Sequence, residues 1–333
     1  EGGLFMWSEQ QQGAGFVTSG NPNFNNSSAA ALLSYDVAHS IPWDWRVSLY
    51  TWTKGIASGV YLVACLLVLI GVLNVNNLIW LWATPIISGA FLAVTGGLLL
   101  WDLEHPERFY LIFTRPQWRS WLVKGAFIIA GYTVVLALHF IASWAGSRSF
   151  QTWLMLPGIP LSILTAIYTA YLFAQAKARD MWQNPLLPPH LFVQAMLLGS
   201  AVLLPVIVLL SGAMTSDDLM SGVLDTLRIE VDWLRWTLGV SSMIHLLMVW
   251  GEVSLTHPTA HARLAIWEMV KGRYKSDFWT GTILSLLGGL LPLLAALGVL
   301  GISLGVAGAP LALIGLMLFE HAYVQAGQSV PLA

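Results

Sequence analysis

Tyr50, Lys54, Ser58 and Tyr61 follow one another at three- and four-residue intervals inside an apolar stretch, and Tyr168, Tyr171, Gln175 and Arg179 do the same inside another. Each set therefore lies along one stripe of a helix. Two phenols and an ammonium group facing an otherwise oily space would suit a flat apolar ligand with two hydrogen-bonding oxygens, and a quinone fits that description. The chemistry would be exchange of two electrons and two protons, which needs a partner for each oxygen, a proton exit and a nearby electron carrier. Tyr50, Lys54, Tyr168 and Tyr171 are the candidate quinone-binding residues. Asp102, Glu104 and His105 close a third apolar stretch and are the candidates for acid–base work, while Glu252, Glu320 and His321 lie near the ends of two later ones and are candidates for a proton path. A plainer reading stands beside this one. Aromatic residues form belts at membrane interfaces, and long charged side chains snorkel to water or pair with one another.

The elements that would position these residues are membrane helices. Hydrophobic residues make up 56% of the 333-residue chain, charged residues only 10%, and there are 17 tryptophans, a balance outside that of soluble domains. Apolar segments long enough to span a bilayer, about 20 residues each, recur at 46–72, 78–101, 121–144, 152–176, 189–212, 233–255, 279–301 and 304–326. The expected fold is all-α, a polytopic membrane protein with eight transmembrane helices. Because 279–301 and 304–326 abut across a glycine-rich junction, seven spans and a re-entrant piece is the alternative. With eight spans both termini lie on one side, side A. Lys54 lies two turns into the first span, too deep for an easy route to water. Asp102, at a helix C-terminus, opposes the helix dipole, so a cation or donor has to compensate it.

Twelve of the 15 Lys and Arg fall on side A, which the positive-inside tendency would make cytoplasmic. The loop 213–232, on the other side, is acidic. A formal net charge of -2 and scattered basic residues argue against nucleic acid as a partner. Residues 1–44 read as a polar arm rich in Gly, Asn, Ser and Gln, without the basic-then-apolar pattern of a secretory signal.

A single cysteine, Cys65, cannot hold an iron–sulfur cluster, which usually takes four thiolates, and no metal ligand set stands out. A haem-b anchor would need histidines at equal depth on facing helices. Only His139 and His245 lie deep in spans away from side A, and they are offset by roughly 10 Å at 1.5 Å per residue, so no haem is expected in the chain. A proton- or solute-conducting subunit without quinone chemistry is suggested by Glu252, Glu320 and His321, although no internal repeat accompanies them.

Four segments carry a further likeness: LYTWTKGIASGVYLVA (49–64), DLEHPERF (102–109) followed by RPQWRSWLVKGA (115–126), GEVSLTHPTAHARLAIWEMVKGRYKSDFW (251–279) and EHAYVQAGQSVPL (320–332). In this order, over about residues 45 to 332, they resemble the NrfD/polysulfide reductase membrane-subunit family. The resemblance implies two four-helix bundles, 45–176 with the quinone site and 177–333, in a bacterial or archaeal plasma membrane. It implies menaquinone or ubiquinone as the small molecule, with no haem or iron–sulfur cluster in this chain. It also implies a four-cluster, ferredoxin-like iron–sulfur subunit over the site, passing electrons to or from a molybdopterin catalytic subunit or a multihaem cytochrome. In the polysulfide reductase member, a histidine near the start of the first helix and a tyrosine late in the fourth contact the quinone. Tyr168 matches the tyrosine, whereas Tyr50 stands at the histidine position. Some members carry their iron–sulfur partner outside the cytoplasm, so the basic bias of side A leaves the orientation open.

Overall fold

The computed structural model describes residues 43–103, 105–176, 179–213, 221–257 and 259–330. The long helices are α1 (Trp45–Leu69), α2 (Thr84–Trp101), α3 (Trp121–Trp144), α4 (Arg148–Ala174), α5 (Leu187–Ala213), α6 (Ser221–Ser254), α8 (Lys275–Ala296) and α9 (Ile302–Gln328), with a shorter α7 (Ala260–Val270) between α6 and α8. No strand occurs among the described residues. The chain is a multi-pass, all-α membrane protein. Among the described residues seven helices are long and apolar enough to cross a bilayer, against the eight expected. The exception is α6, whose 34 residues suffice in length but carry Arg228, Glu230, Asp232 and Arg235 along their first half.

Packing follows two closed rings. In the first, α1 packs on α2, α2 on α3, α3 on α4 and α4 back on α1; in the second, the same circuit runs through α5, α6, α8 and α9. The helix α1 belongs to both rings, since it also packs on α5 and α9, and 78% of its apolar window is buried. Asp44 starts it, its carboxylate accepting the Arg46 N–H at 2.8 Å, as an N-cap should. Between α8 and α9 the chain reverses in a tight turn. Gly298 adopts φ 75°, Val299 N–H bonds the Leu294 carbonyl at 2.9 Å and Gly298 N–H bonds Ala295 at 3.1 Å, a Schellman-type ending. The two helices then pack along each other as full spans, which removes the re-entrant alternative.

Backbone carbonyls inside a bilayer must be satisfied within the protein. Helix α2 is entered through a π-helical turn, Ile79–Ala83, which disturbs the regular ladder. The freed carbonyls are taken from α3: His139 Nε2 lies 3.0 Å from the Trp80 oxygen, and Ser143 donates to Leu81 at 2.6 Å. His139 thus has a structural duty. His245 pairs instead with His190, ring nitrogens 2.7 Å apart, a gap that leaves no room for an iron between them.

The bundles meet where α1 crosses α5. A Cβ on Gly59 would collide with the Ala195 carbonyl, and one on Gly199 with the Gly59 backbone. Small residues let membrane helices approach until backbones touch. Gly199→Val therefore overpacks the crossing by about 1–3 kcal/mol or more and should sharply reduce the monodisperse folded fraction in detergent size-exclusion chromatography. Gly89→Ala, on α2 with nothing within 4 Å of the added carbon, should leave it unchanged.

Candidate functional site

At the side-A end of the first ring, the start of α1, the end of α2, the following loop and the ends of α3 and α4 enclose a cavity of about 500 Å³. Its walls are mainly apolar, with Leu98, Leu99, Ile112, Leu172 and Phe173 among them; the polar groups reaching it are Tyr50, Arg46, Asp102, His105 and Arg108. Trp43 forms one edge, stacked on Phe173 and Trp182 with centroids 5.1 and 4.7 Å away. The last turn of α9 holds Trp43 in place, since Gln328 Oε1 accepts its N–H at 3.1 Å and Gln325 donates to its carbonyl at 3.3 Å.

The predicted polar stripe of α1 forms as expected, and it begins one turn earlier than the spacing of its tyrosines suggests, at Arg46. This guanidinium donates to the Trp101 carbonyl at 2.9 Å, binds Asp44 at 2.9 Å and lies 3.6 Å from the Asp102 carboxylate. It is the cation that compensates Asp102 at the C-terminus of α2. Partial burial still holds the Asp102 carboxyl above the usual carboxylate range, with Arg46 acting in the opposite direction.

Behind the wall, Tyr50 donates to the Tyr168 hydroxyl at 2.6 Å, and its oxygen is also 2.6 Å from Thr169 Oγ1. Lys54, 1% exposed, donates to the Ala166 carbonyl at 2.9 Å and to Thr169 Oγ1. Its Nζ stands 5.0 Å from the Tyr168 ring and 5.5 Å from that of Tyr50. Glycine at 125 makes this possible, because a Cβ there would strike the Tyr168 ring. On the opposite flank of α1, Thr51 donates to Glu320 of α9 at 2.9 Å, and His321 Nδ1 lies 3.3 Å from the Ser48 hydroxyl.

Tyr50, Lys54 and Tyr168 are thus brought together, while Asp102 and His105 line the same space. Tyr168 stands behind Tyr50 and is absent from the cavity wall. The expected stripe on α4 breaks up. Tyr171 does not join the site: it is 37% exposed and stacked on Trp121 at 4.4 Å. Gln175 ties α4 to the start of α3, accepting from Trp121 N–H at 2.8 Å. Arg179 lies beyond the helix and donates to the Val330 carbonyl at 2.6 Å. Glu252 belongs to a second cavity, described below. Glu104 and most of the polar arm 1–44 lie outside the described residues, as does much of the loop 213–232. Sequence reasoning misses Arg46, Thr51 and Thr169. For Arg46 the signal is available, four residues before Tyr50 on the same stripe; for the two threonines nothing in the spacing singles them out.

The sequence profile of the family described as Polysulphide reductase, NrfD matches residues 34–331. A protein of Halobacterium salinarum, provisionally named as a membrane component of dimethyl sulfoxide reductase, is 26% identical over 225 residues, covering 59% of this chain and 49% of the relative. The chain thus spans about half the length of that relative. The chain belongs to the NrfD family.

The Arg46–Asp102 arrangement is testable through stability. Without the guanidinium, ionised Asp102 faces the α2 carbonyls alone, so Arg46→Met should lower Tm. A carboxyl whose folded pKa is raised supports the fold when protonated and loses that support as pH rises through the folded value. The loss in Arg46→Met should accordingly be larger at about pH 8 than at about pH 5, and adding Asp102→Asn should recover part of it. Equal losses at both pH values, measured by differential scanning fluorimetry, would remove the pairing from the account.

Proposed function

We propose that this NrfD family member is the membrane anchor and quinone-reactive subunit of a multi-subunit oxidoreductase in a bacterial or archaeal plasma membrane. The observation that carries the proposal is the side-A cavity. It has the volume and apolar walls of a small-molecule site, and it ends on a phenol that two further hydroxyls and a buried ammonium hold in place. Tyr50 would hydrogen-bond one oxygen of the substrate, menaquinone or ubiquinone, and the side bearing Asp102, His105 and Arg108 would face the other. Tyr168 acts as a positioning residue, fixing Tyr50, and Lys54 sets the field behind both phenols.

In the oxidation direction the quinol loses two O–H protons and two electrons. Asp102 and His105 are placed to take protons on one side and the Tyr50 network on the other, so that no charge accumulates in the cavity. The electrons leave for a carrier outside the chain, a four-cluster ferredoxin-like iron–sulfur subunit. Its docking surface would be the loop 102–120 beside the cavity mouth and, within 256–278, the part about Trp267 away from the second cavity; Trp118 and Trp267 are more than half exposed, as anchors of a protein interface often are when unpartnered. The far end of the chain would be a molybdopterin catalytic subunit or a multihaem cytochrome, and the relative's name, a membrane subunit of a reductase, favours a separate reductase subunit. Side A would carry the partner whichever compartment it faces.

Tyr50→Phe keeps the ring and removes the hydroxyl at the wall, which can accept from a quinol O–H or turn its own proton from Tyr168 to a quinone oxygen. Loss of one hydrogen bond to a buried ligand costs on the order of 1 kcal/mol, up to about 3 when an oxygen is left unpaired, or roughly five- to a hundredfold in turnover. Quinol-linked activity per assembled complex should fall by that factor, and Tyr168→Phe should fall less. Tyr61→Phe, remote from the cavity and packed beside Leu154, should match the parent. Unchanged activity of Tyr50→Phe at sub-saturating quinol would take the quinone out of this cavity.

A further inference from the structure

A bound quinone fills its own doorway. Its apolar tail leaves through the mouth by which it entered, and a docked partner would cover the loop beside it, so protons on the Tyr50 side need another way to water. A second cavity of about 430 Å³ opens on the same side A, under the second ring; its walls are also largely apolar, with Met181, Leu186 and Leu255 among them, but Asp180, Gln183, Asn184, Thr256 and His257 reach it, and so does Glu252. Glu252 is almost fully buried and accepts from Asn184 Nδ2 at 3.0 Å. The Tyr323 hydroxyl is also close enough to interact with it and donates to the Met181 carbonyl at 3.4 Å.

Tyr323 lies one turn from Glu320 on α9. Both line a void of about 20 Å³ shared with Thr51, His190 and Gln194, room for about one water. Gln194 Oε1 is buried there without a hydrogen-bond partner among the described residues, which marks the void as wet, since buried acceptors are normally satisfied by protein or water. From the void, Glu320 takes the hydrogen bond of Thr51, which lies one turn from Lys54 on α1. Lys54 bonds Thr169, and Thr169 bonds Tyr50 on the wall of the first cavity.

We infer that the chain has two mouths on one side of the membrane, one for the quinone and one for protons, and that Glu252, Tyr323, Glu320 and Lys54 form the relay joining them beneath α1. The inference rests on the quinone reading above. In quinol oxidation the Lys54 ammonium first gives a proton to Glu320 by way of the water in the void and is then reprotonated through Thr169 from Tyr50, which takes up the proton of the quinol oxygen; Glu320 passes its proton past Tyr323 to Glu252, and Glu252 releases it to solvent in the second cavity. In quinone reduction the same proton travels inward. The relay never crosses the bilayer. A branch that would cross it starts at the same void, where His190 meets His245, whose Nε2 is buried without a partner among the described residues.

The test uses the whole membrane complex with menadiol as the probe. Menadiol affinity is read from quenching of tryptophan fluorescence, and turnover per assembled complex is measured in H₂O and D₂O. Glu252→Gln should slow turnover about tenfold or more and enlarge the solvent isotope effect while leaving menadiol affinity unchanged. Glu252→Asp should restore most of the rate, and His245→Gln should stay close to the parent. Turnover of Glu252→Gln close to the parent would overturn the inference, as would an equal loss in His245→Gln, which would send the protons along the His190–His245 branch instead. A failure of the quinone reading looks different: menadiol would not bind, or turnover would be indifferent to Tyr50→Phe.

Discussion

A lysine with its charge buried in the bilayer region is the constraint around which this structure is arranged. An ammonium group taken from water costs several kcal/mol unless donors, acceptors and counter-charge surround it. Lys54 finds its partners mainly on α4: the Ala166 carbonyl, the Thr169 hydroxyl and the face of Tyr168, with the ring of Tyr50 on its own helix. The second ring is tied to the same helix by Glu320 of α9, which takes the Thr51 hydrogen bond. The helix α1 lies between the rings because its small residues let α5 approach to backbone contact. The phenol that meets the cavity inherits its position from this arrangement. Tyr50 is fixed because Tyr168 and Thr169 are, and those two are fixed because Lys54 needs them.

Much of this was legible in the amino-acid sequence, for reasons that differ between elements. Span positions follow from the absence of hydrogen-bonding alternatives in lipid, so hydropathy alone places α1 to α5, α8 and α9 within a few residues. α6 keeps its place in the ring but carries its charges in the half where the sequence shows them, and it falls short as an apolar span. The stripe Tyr50, Lys54, Ser58 survives because α1 is surrounded and every face of it is set by neighbours. The stripe on α4 does not. Tyr168 and Tyr171 are three residues apart, about 60° around the helix, and α4 sits at the edge of the ring, so that one residue turns inward and the other outward onto Trp121. Spacing cannot report which edge of a stripe a neighbouring helix will cover.

Other parts could not be read locally. Thr51 and Thr169 are ordinary hydroxyl residues that acquire meaning only when α1, α4 and α9 converge. The π-helical entry to α2 gives His139 a backbone carbonyl to bind, and the meeting of His190 with His245 depends on the packing of α5 against α6. The resemblance to the NrfD family singles out Tyr168 and the position of Tyr50, and the structure orders the two in depth, with Tyr50 on the cavity wall and Tyr168 behind it.

The central claim is that a quinone occupies the cavity at the side-A end of the first ring. Another apolar space competes for it, a lipid-facing groove of about 530 Å³ between α2 and α3 lined by Pro85, Gly89, Ala93 and Phe140, which lacks the paired polar ends a quinone head needs. Photolabelling the intact complex with an azido-naphthoquinone, followed by peptide mapping, distinguishes them most directly. The account predicts adducts at the start of α1 and in the segment from Asp102 to Ile112, diminished by excess unlabelled quinol. Adducts concentrated at 85–96 and 129–141, or in the second ring, would contradict it.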